Sequence, residues 1–196
     1  MVNYPNLKKI SASHAAFQDE TKHDTARRGY SLENALNQSN QVYLTRQRAV
    51  IHKKPTPIQI VKVDYPSRSA AKIVEAYFKV PSTTDYNGIY RGKYIDFEAK
   101  ECAKGSFPFK NIHPHQIDHL EAVVFHGGIA FLIIAFTQKN EVYLIDACYV
   151  IDKFRHASRH SLLYEDIKEH GYLIKQGYAP ELDYLSVVDE VYFKED

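Results

Sequence analysis

The stretch Ser82–Lys100, STTDYNGIYRGKYIDFEAK, restricts the fold more than any other part of the chain, because alternation and a turn signal together suggest a β-hairpin of defined register. With Arg91-Gly92 at the tip, Thr83 faces Lys100 and Asp85 faces Glu98. Alternation by two then gathers Thr83, Asp85, Glu98 and Lys100 on one face and turns Tyr86, Tyr90, Ile95, Phe97 and Ala99 to the other. A three-residue loop at Tyr90-Arg91-Gly92 would slip this pairing by one, and Arg91 is a poor residue for the positive φ of a type I′ turn. Opposed carboxylates at a Cβ spacing of roughly 4.5–5.5 Å repel, so Asp85 against Glu98 calls for a cation. Mg2+ suits such a site, since it takes one or two carboxylates and completes its shell with water and substrate phosphate. Lys100 reaches the same space with a point charge suited to a scissile phosphate.

A chain of 196 residues suffices for one domain with a core. Residues 1–26 lack apolar periodicity and read as a mobile N-terminal arm, with a single domain over 27–196. No long apolar run suggests a membrane span or signal peptide, so a cytoplasmic location is expected. Cys102 and Cys148 form no C-x-x-C pair and are expected to be free thiols. Charge is distributed unevenly: Arg46–Lys100 holds eleven Lys/Arg against five Asp/Glu, and Ser161–Asp196 holds three against nine. A basic working side is what a polyanion such as DNA requires, although ordinary solvated faces produce similar clusters.

Ser31 can cap a helix carrying the stripe Leu32, Ala35, Leu36, Val42 and Tyr43, with Glu33 in its first turn. A carboxylate there is favoured by the helix dipole, and an accessory role for Glu33 at a metal or water is the alternative. Ala49–His52 reads as a buried strand. From Ile58 to Val80, bounded by Pro55-Thr56-Pro57 and Pro81, the chain alternates like strands and carries Lys62, Arg68, Lys72 and Lys79; it reads either as an insertion projecting from the sheet or as two strands, or a strand and a helix, inside the core. Cations and rings on such an element suit phosphates and bases; Arg28, Lys53, Lys54, Arg68 and Lys72 are the candidate DNA contacts. Glu101–Asn111 reads as a loop, and HPHQIDHLEAVVFHGG as a helix with Pro114 in its first turn and Gln116 near the hairpin. The cluster His113, His115 and His119 invites a zinc reading because His115 and His119 are four apart, but no third ligand stands at a recognised spacing and no general-base glutamate lies inside that pair. Ile129–Phe136 reads as a central strand, Glu141–Cys148 as another, and Ser161–His170 and Pro180–Tyr192 as helices.

Helix, strand, an acid on one strand, acid-x-lysine on the next, then helix and strand resembles the PD-(D/E)xK nuclease core, here Thr84-Asp85 followed by Glu98-Ala99-Lys100. The segments AVIHKKPTPIQIV, VDYPSRSAAKIVEAYF, PSTTDYNGIY, YIDFEAKE and HPHQIDH resemble those of the RecU Holliday junction resolvases, a likeness running from Arg28 to Tyr184-Leu185. Cys102 stands where relatives usually have threonine, which removes no catalytic group.

The resemblance implies an α/β fold, a mixed central sheet flanked by helices in a restriction-endonuclease-like core, with residues 54–80 projecting as a stalk-like insertion. It implies an endonuclease that cuts four-way DNA junctions symmetrically in recombination and repair, using Mg2+, for which Mn2+ can substitute. Thr83, Asp85, Glu98 and Gln116 match the metal-contacting positions, and Lys100 the lysine that stabilises the transition state. Arg68 matches the leading stalk contact, and the recombinase RecA is an implied partner. Matched cuts favour a homodimer with two-fold symmetry, and hydrolysis should leave a 3′-hydroxyl and a 5′-phosphate. The alternatives are a nuclease for linear duplex DNA and a non-catalytic junction-binding or annealing protein.

Overall fold

The computed structural model describes residues 31–79 and 83–194; the proposed arm at 1–26 and the candidate contact Arg28 lie outside them. In chain order come α1 (Leu32–Thr45), β1 (Val50–Lys53), β2 (Ile58–Asp64), β3 (Lys72–Phe78), β4 (Tyr86–Tyr90), β5 (Lys93–Cys102) and β6 (Ser106–Pro108). A 3-10 turn at Phe109–Asn111 leads to α2 (Pro114–Phe125), β7 (Ile129–Phe136), β8 (Glu141–Asp146) and α3 (Ala147–His156). The chain closes with β9 (Ser161–Leu163), α4 (Tyr164–His170), β10 (Tyr172–Leu173) and α5 (Tyr184–Tyr192).

A mixed six-stranded sheet in the order β1-β4-β5-β7-β8-β10 carries the fold, with β5 and β7 parallel and every other pairing antiparallel. A parallel pair needs a crossover, and α2 supplies it. Every residue of β7 is buried, so its period-two alternation feeds two cores. Phe131 and Ile133 pack toward α1 and α5 with Leu36, Tyr43, Tyr184 and Val188. Leu132 and Ile134 pack toward α2, α3 and α4 with Ile117, Leu120, Val150 and Ile167. The same alternation on β5 sends Ile95 and Phe97 into the first core, where Phe97 stacks between Tyr86 and Phe131. Asp96, Glu98 and Lys100 therefore belong to the α2 side.

Five sequence expectations change. The segment read as a buried strand at Ala49–His52 is the sheet's edge, with Ile51 the one buried residue of β1. Glu101–Asn111 is not a loop: β5 runs to Cys102, and β6 pairs with β9, the segment read as the start of a helix at Ser161. The strand expected over Glu141–Cys148 stops at Asp146, whose side chain accepts from the Cys148 N–H at 2.7 Å and caps α3. The helix expected from Pro180 begins at Tyr184.

Residues of the expected stalk behave differently from the rest. β2 and β3 pair only with each other, and all their residues are exposed, including Ile60, Val61, Ile73 and Val74.

Candidate active site

The hairpin register is the one expected from the sequence: Tyr86 pairs with Phe97 and Tyr90 with Lys93 across a tip at Arg91 and Gly92. Both tip residues have positive φ, 48° and 76°, as a type I′ turn requires. Left-handed backbone at a non-glycine residue costs about 1–2 kcal/mol. The Arg91 side chain offsets it by reaching α5, with its guanidinium 3.1 Å from Asp189 and over the Phe193 ring at 4.6 Å.

Beyond the last ladder pair, Asp85 and Glu98 grip each other. The Asp85 N–H donates to Glu98 Oε2 at 3.1 Å, and Asp85 Oδ2 accepts from the Ala99 N–H at 3.3 Å. Glu98 is fully buried. Its Oε1 lies 2.5 Å from Lys100 Nζ yet receives no well-directed hydrogen bond. Burial, then the Asp85 charge, pushes the Glu98 carboxyl up to about 7, against the opposing pull of Lys100 and Gln116. Gln116 is buried in the first turn of α2, where its Oε1 accepts from the His113 N–H at 3.0 Å.

Asp85, Glu98, Lys100 and Gln116 thus come together. Thr83 is half-buried ahead of β4, and no hydrogen bond joins it to Glu98 or Lys100 among the described residues. Glu33 and Lys53 form an ion pair at 2.5 Å and border a small cavity of about 150 Å³ shared with Asp85 and Glu101. Glu101 itself accepts from the Leu32 N–H at 2.6 Å, at the start of α1. Lys54 points inward, with Nζ 2.8 Å from Asp96, and is committed to that carboxylate. Arg68 and Lys72 lie on the exposed hairpin. His119 meets Asp96 at 3.1 Å, and His113 and His115 stack on each other. Among the described residues, no group of three or more His, Cys, Asp or Glu is arranged to hold a metal ion.

Asp96 and Glu101 were not singled out from the sequence. Alternation already placed Asp96 on the face of Glu98, but its partners come from distant segments that only folding assembles.

A mixed sheet flanked by helices, with one acid before a strand and acid-x-lysine on its neighbour, defines a nuclease-like α/β core. The family model described as Recombination protein U matches residues 27–190, and the chain belongs to that RecU family. It is 53% identical to the Holliday junction resolvase RecU of Bacillus cytotoxicus and 54% identical to that of Bacillus cereus, with 98% of each chain covered in both comparisons. A solved structure of Hjc, a Holliday junction resolvase from Archaeoglobus fulgidus, matches at a TM-score of 0.44 and 10% identity, over 72% of this chain and 93% of that one.

Proposed function

We propose that this chain is a Mg2+-dependent endonuclease that resolves four-way DNA junctions by paired symmetric nicks in recombination and repair. The observation that carries the reading is the Asp85–Glu98 pair with Lys100 Nζ 2.5 Å from Glu98. Its support from relatives is that family members at 53–54% identity are Holliday junction resolvases.

The donor set fits a hard divalent cation. Two carboxylates converge, one of them buried with an oxygen lacking a directed hydrogen bond, and Mg2+ needs no more protein ligands than these. Asp85 and Glu98 would hold it, with Gln116 and Thr83 as further candidates, and Mn2+ is expected to substitute. When bound there, Mg2+ supplies Lewis-acid stabilisation of the phosphate oxygens. Lys100 has a short, partly buried ammonium position from which to stabilise charge developing on the phosphate. Gln116, buried in the first turn of α2, favours the charged form of Glu98. In-line attack by water would leave a 3′-hydroxyl and a 5′-phosphate.

In this reading residues 27–196 are one nuclease domain and 54–80 its stalk, whose Arg68 and Lys72 meet junction phosphates. Lys53 contributes from the stalk root, and Glu33 is an accessory acid near Asp85. Two copies of the chain, related by a two-fold axis, make the two cuts, and RecA is a second partner. No helix among the described residues is long and apolar enough to cross a membrane, and a DNA substrate suits a cytoplasmic location.

The test is cleavage of a four-way junction and of linear duplex with the same sequence, with and without Mg2+, by wild type and Asp85→Asn. Junction-selective, Mg2+-dependent cutting that Asp85→Asn abolishes while retaining binding is the expected result. Equal cutting of the duplex, or activity in Asp85→Asn, would overturn the reading.

A further inference from the structure

Asp96 lies two residues before Glu98 on the same side of β5, and its side chain is completely buried. Four side chains from different parts of the chain converge on it. Lys54 Nζ stands 2.8 Å from Oδ2, the Tyr94 hydroxyl donates to Oδ2 at 2.7 Å, and His119 Nε2 is 3.1 Å from the same atom. The Thr84 hydroxyl meets Oδ1, and Lys54 Nζ also donates to Thr84 Oγ1 at 2.9 Å. No other carboxylate among the described residues is as enclosed, apart from Glu98.

The identity of the partners matters more than their number. Lys54 and Thr84 stand on either side of the β2–β3 hairpin, where the chain leaves the sheet and where it returns. Thr84 immediately precedes Asp85, and the Lys54 N–H donates to the Asp85 carbonyl at 2.8 Å. His119 sits one turn after Gln116 on α2. One carboxylate therefore joins the root of the exposed hairpin to the strand carrying Glu98, the segment carrying Asp85 and the helix carrying Gln116. A buried ion pair contributes little net stability compared with apolar residues of the same volume, because desolvation opposes the attraction. What it contributes here is fixed geometry, since each partner is held at hydrogen-bond length.

We infer that Asp96 is a positioning residue of the nuclease site, which sets the relative placement of Asp85, Glu98 and Gln116 and ties that placement to the root of the DNA-engaging hairpin. It touches none of the reacting groups. The inference rests on the proposed function for the roles of Asp85 and Glu98.

The test compares wild type, Asp96→Asn, Lys54→Met and the double variant in the full chain. Three quantities are measured: single-turnover cleavage of a four-way junction, junction affinity without divalent metal, and amide hydrogen exchange. Expected are cleavage at least tenfold slower in each single variant, junction affinity within twofold of wild type, and at least tenfold faster exchange at the Lys54 amide with β7 amides unchanged. The double variant should lose no more than either single one, since both remove the same link. Wild-type cleavage rates in both single variants would overturn the inference. So would a loss that appears in affinity instead of rate, or accelerated exchange that extends equally through β7. Should Asp96→Asn not fold, Lys54→Met carries the same comparison. If wild type cuts no junction, the proposed function falls, and exchange at Lys54 alone then decides whether Asp96 holds the hairpin root.

Discussion

Asp85 and Glu98 are cross-linked through each other's strands: the Asp85 amide donates to Glu98 Oε2 at 3.1 Å while Asp85 Oδ2 accepts from Ala99, the neighbour of Glu98, at 3.3 Å. The exchange holds two repelling carboxylates together at the end of a hairpin whose far face is packed in the core. The repulsion is what a divalent cation would relieve.

That repulsion has a sign that can be measured. The folded protein raises the Glu98 carboxyl from its ordinary value to about 7, through burial first and Asp85 second. The fold therefore favours the protonated form. Without metal, its contribution to stability is intact below the ordinary carboxyl range and is lost as pH rises through about 7. Glu98→Gln, which removes this titration, should abolish cleavage yet raise Tm at pH 8 in the absence of metal. Mg2+ competes with the proton, so its stabilisation of wild type should be larger at pH 8 than at pH 5.5. Thermal melts at both pH values with and without Mg2+ check this; equal Mg2+ shifts would tell against Glu98 as a ligand.

The edge strand β1 depends on the absence of a side chain at Gly88. A Cβ there would stand 2.1 Å from the Val50 carbonyl oxygen and 2.6 Å from Ile51 Cα, both backbone atoms that cannot swing aside. Gly88→Ala should destabilise the protein by about 3 kcal/mol or more, measured by urea unfolding. A loss under about 1 kcal/mol would mean that β1 separates from β4 at little cost.

Asp189, on α5, ties the hairpin tip to the turn between α1 and β1. It accepts from the Tyr90 hydroxyl at 2.7 Å, from Arg91 at 3.1 Å and from Arg48 at 3.2 Å. Burial pushes its carboxyl up, but these hydrogen bonds outweigh burial and hold it below the usual range. The contribution is thus present above the ordinary carboxylate pKa and is lost as pH falls through the lowered one. Asp189→Asn should lower stability by roughly 1–3 kcal/mol at pH 7, with the difference from wild type shrinking in acid. A pH-independent difference would assign the effect to packing.

Arg68→Ala and Lys72→Ala should each weaken junction binding about uniformly across sequences and reduce its salt slope by about one. Fluorescence anisotropy over a salt series tests it, and unchanged affinity and slope in both would remove the exposed hairpin from the DNA interface.

What the sequence determined is local or strictly periodic. The hairpin register followed from Arg91-Gly92 and alternation, β7 from an unbroken apolar run, and α2 from Pro114 at its start and the glycines at its end. These signals are complete within a few residues of chain, so they survive without tertiary context. Glu98, Lys100 and Asp85 were legible for the same reason, being set by period-two geometry across one turn.

The tertiary structure alone decided what depends on distant partners. The strand expected to reach Cys148 stops two residues earlier because the Asp146 side chain caps α3, which packs Val150 against the α2 side. β6 became a strand because β9 pairs with it from far along the chain. Arg91 tolerates left-handed backbone because α5 supplies Asp189. Lys54, read as a DNA contact, turns inward because Asp96 is buried beneath it with Thr84, Tyr94 and His119. A buried charge must find its partners wherever the fold brings them. Short-range periodicity places Asp96 on the site's face, and only the folded chain gathers what it holds.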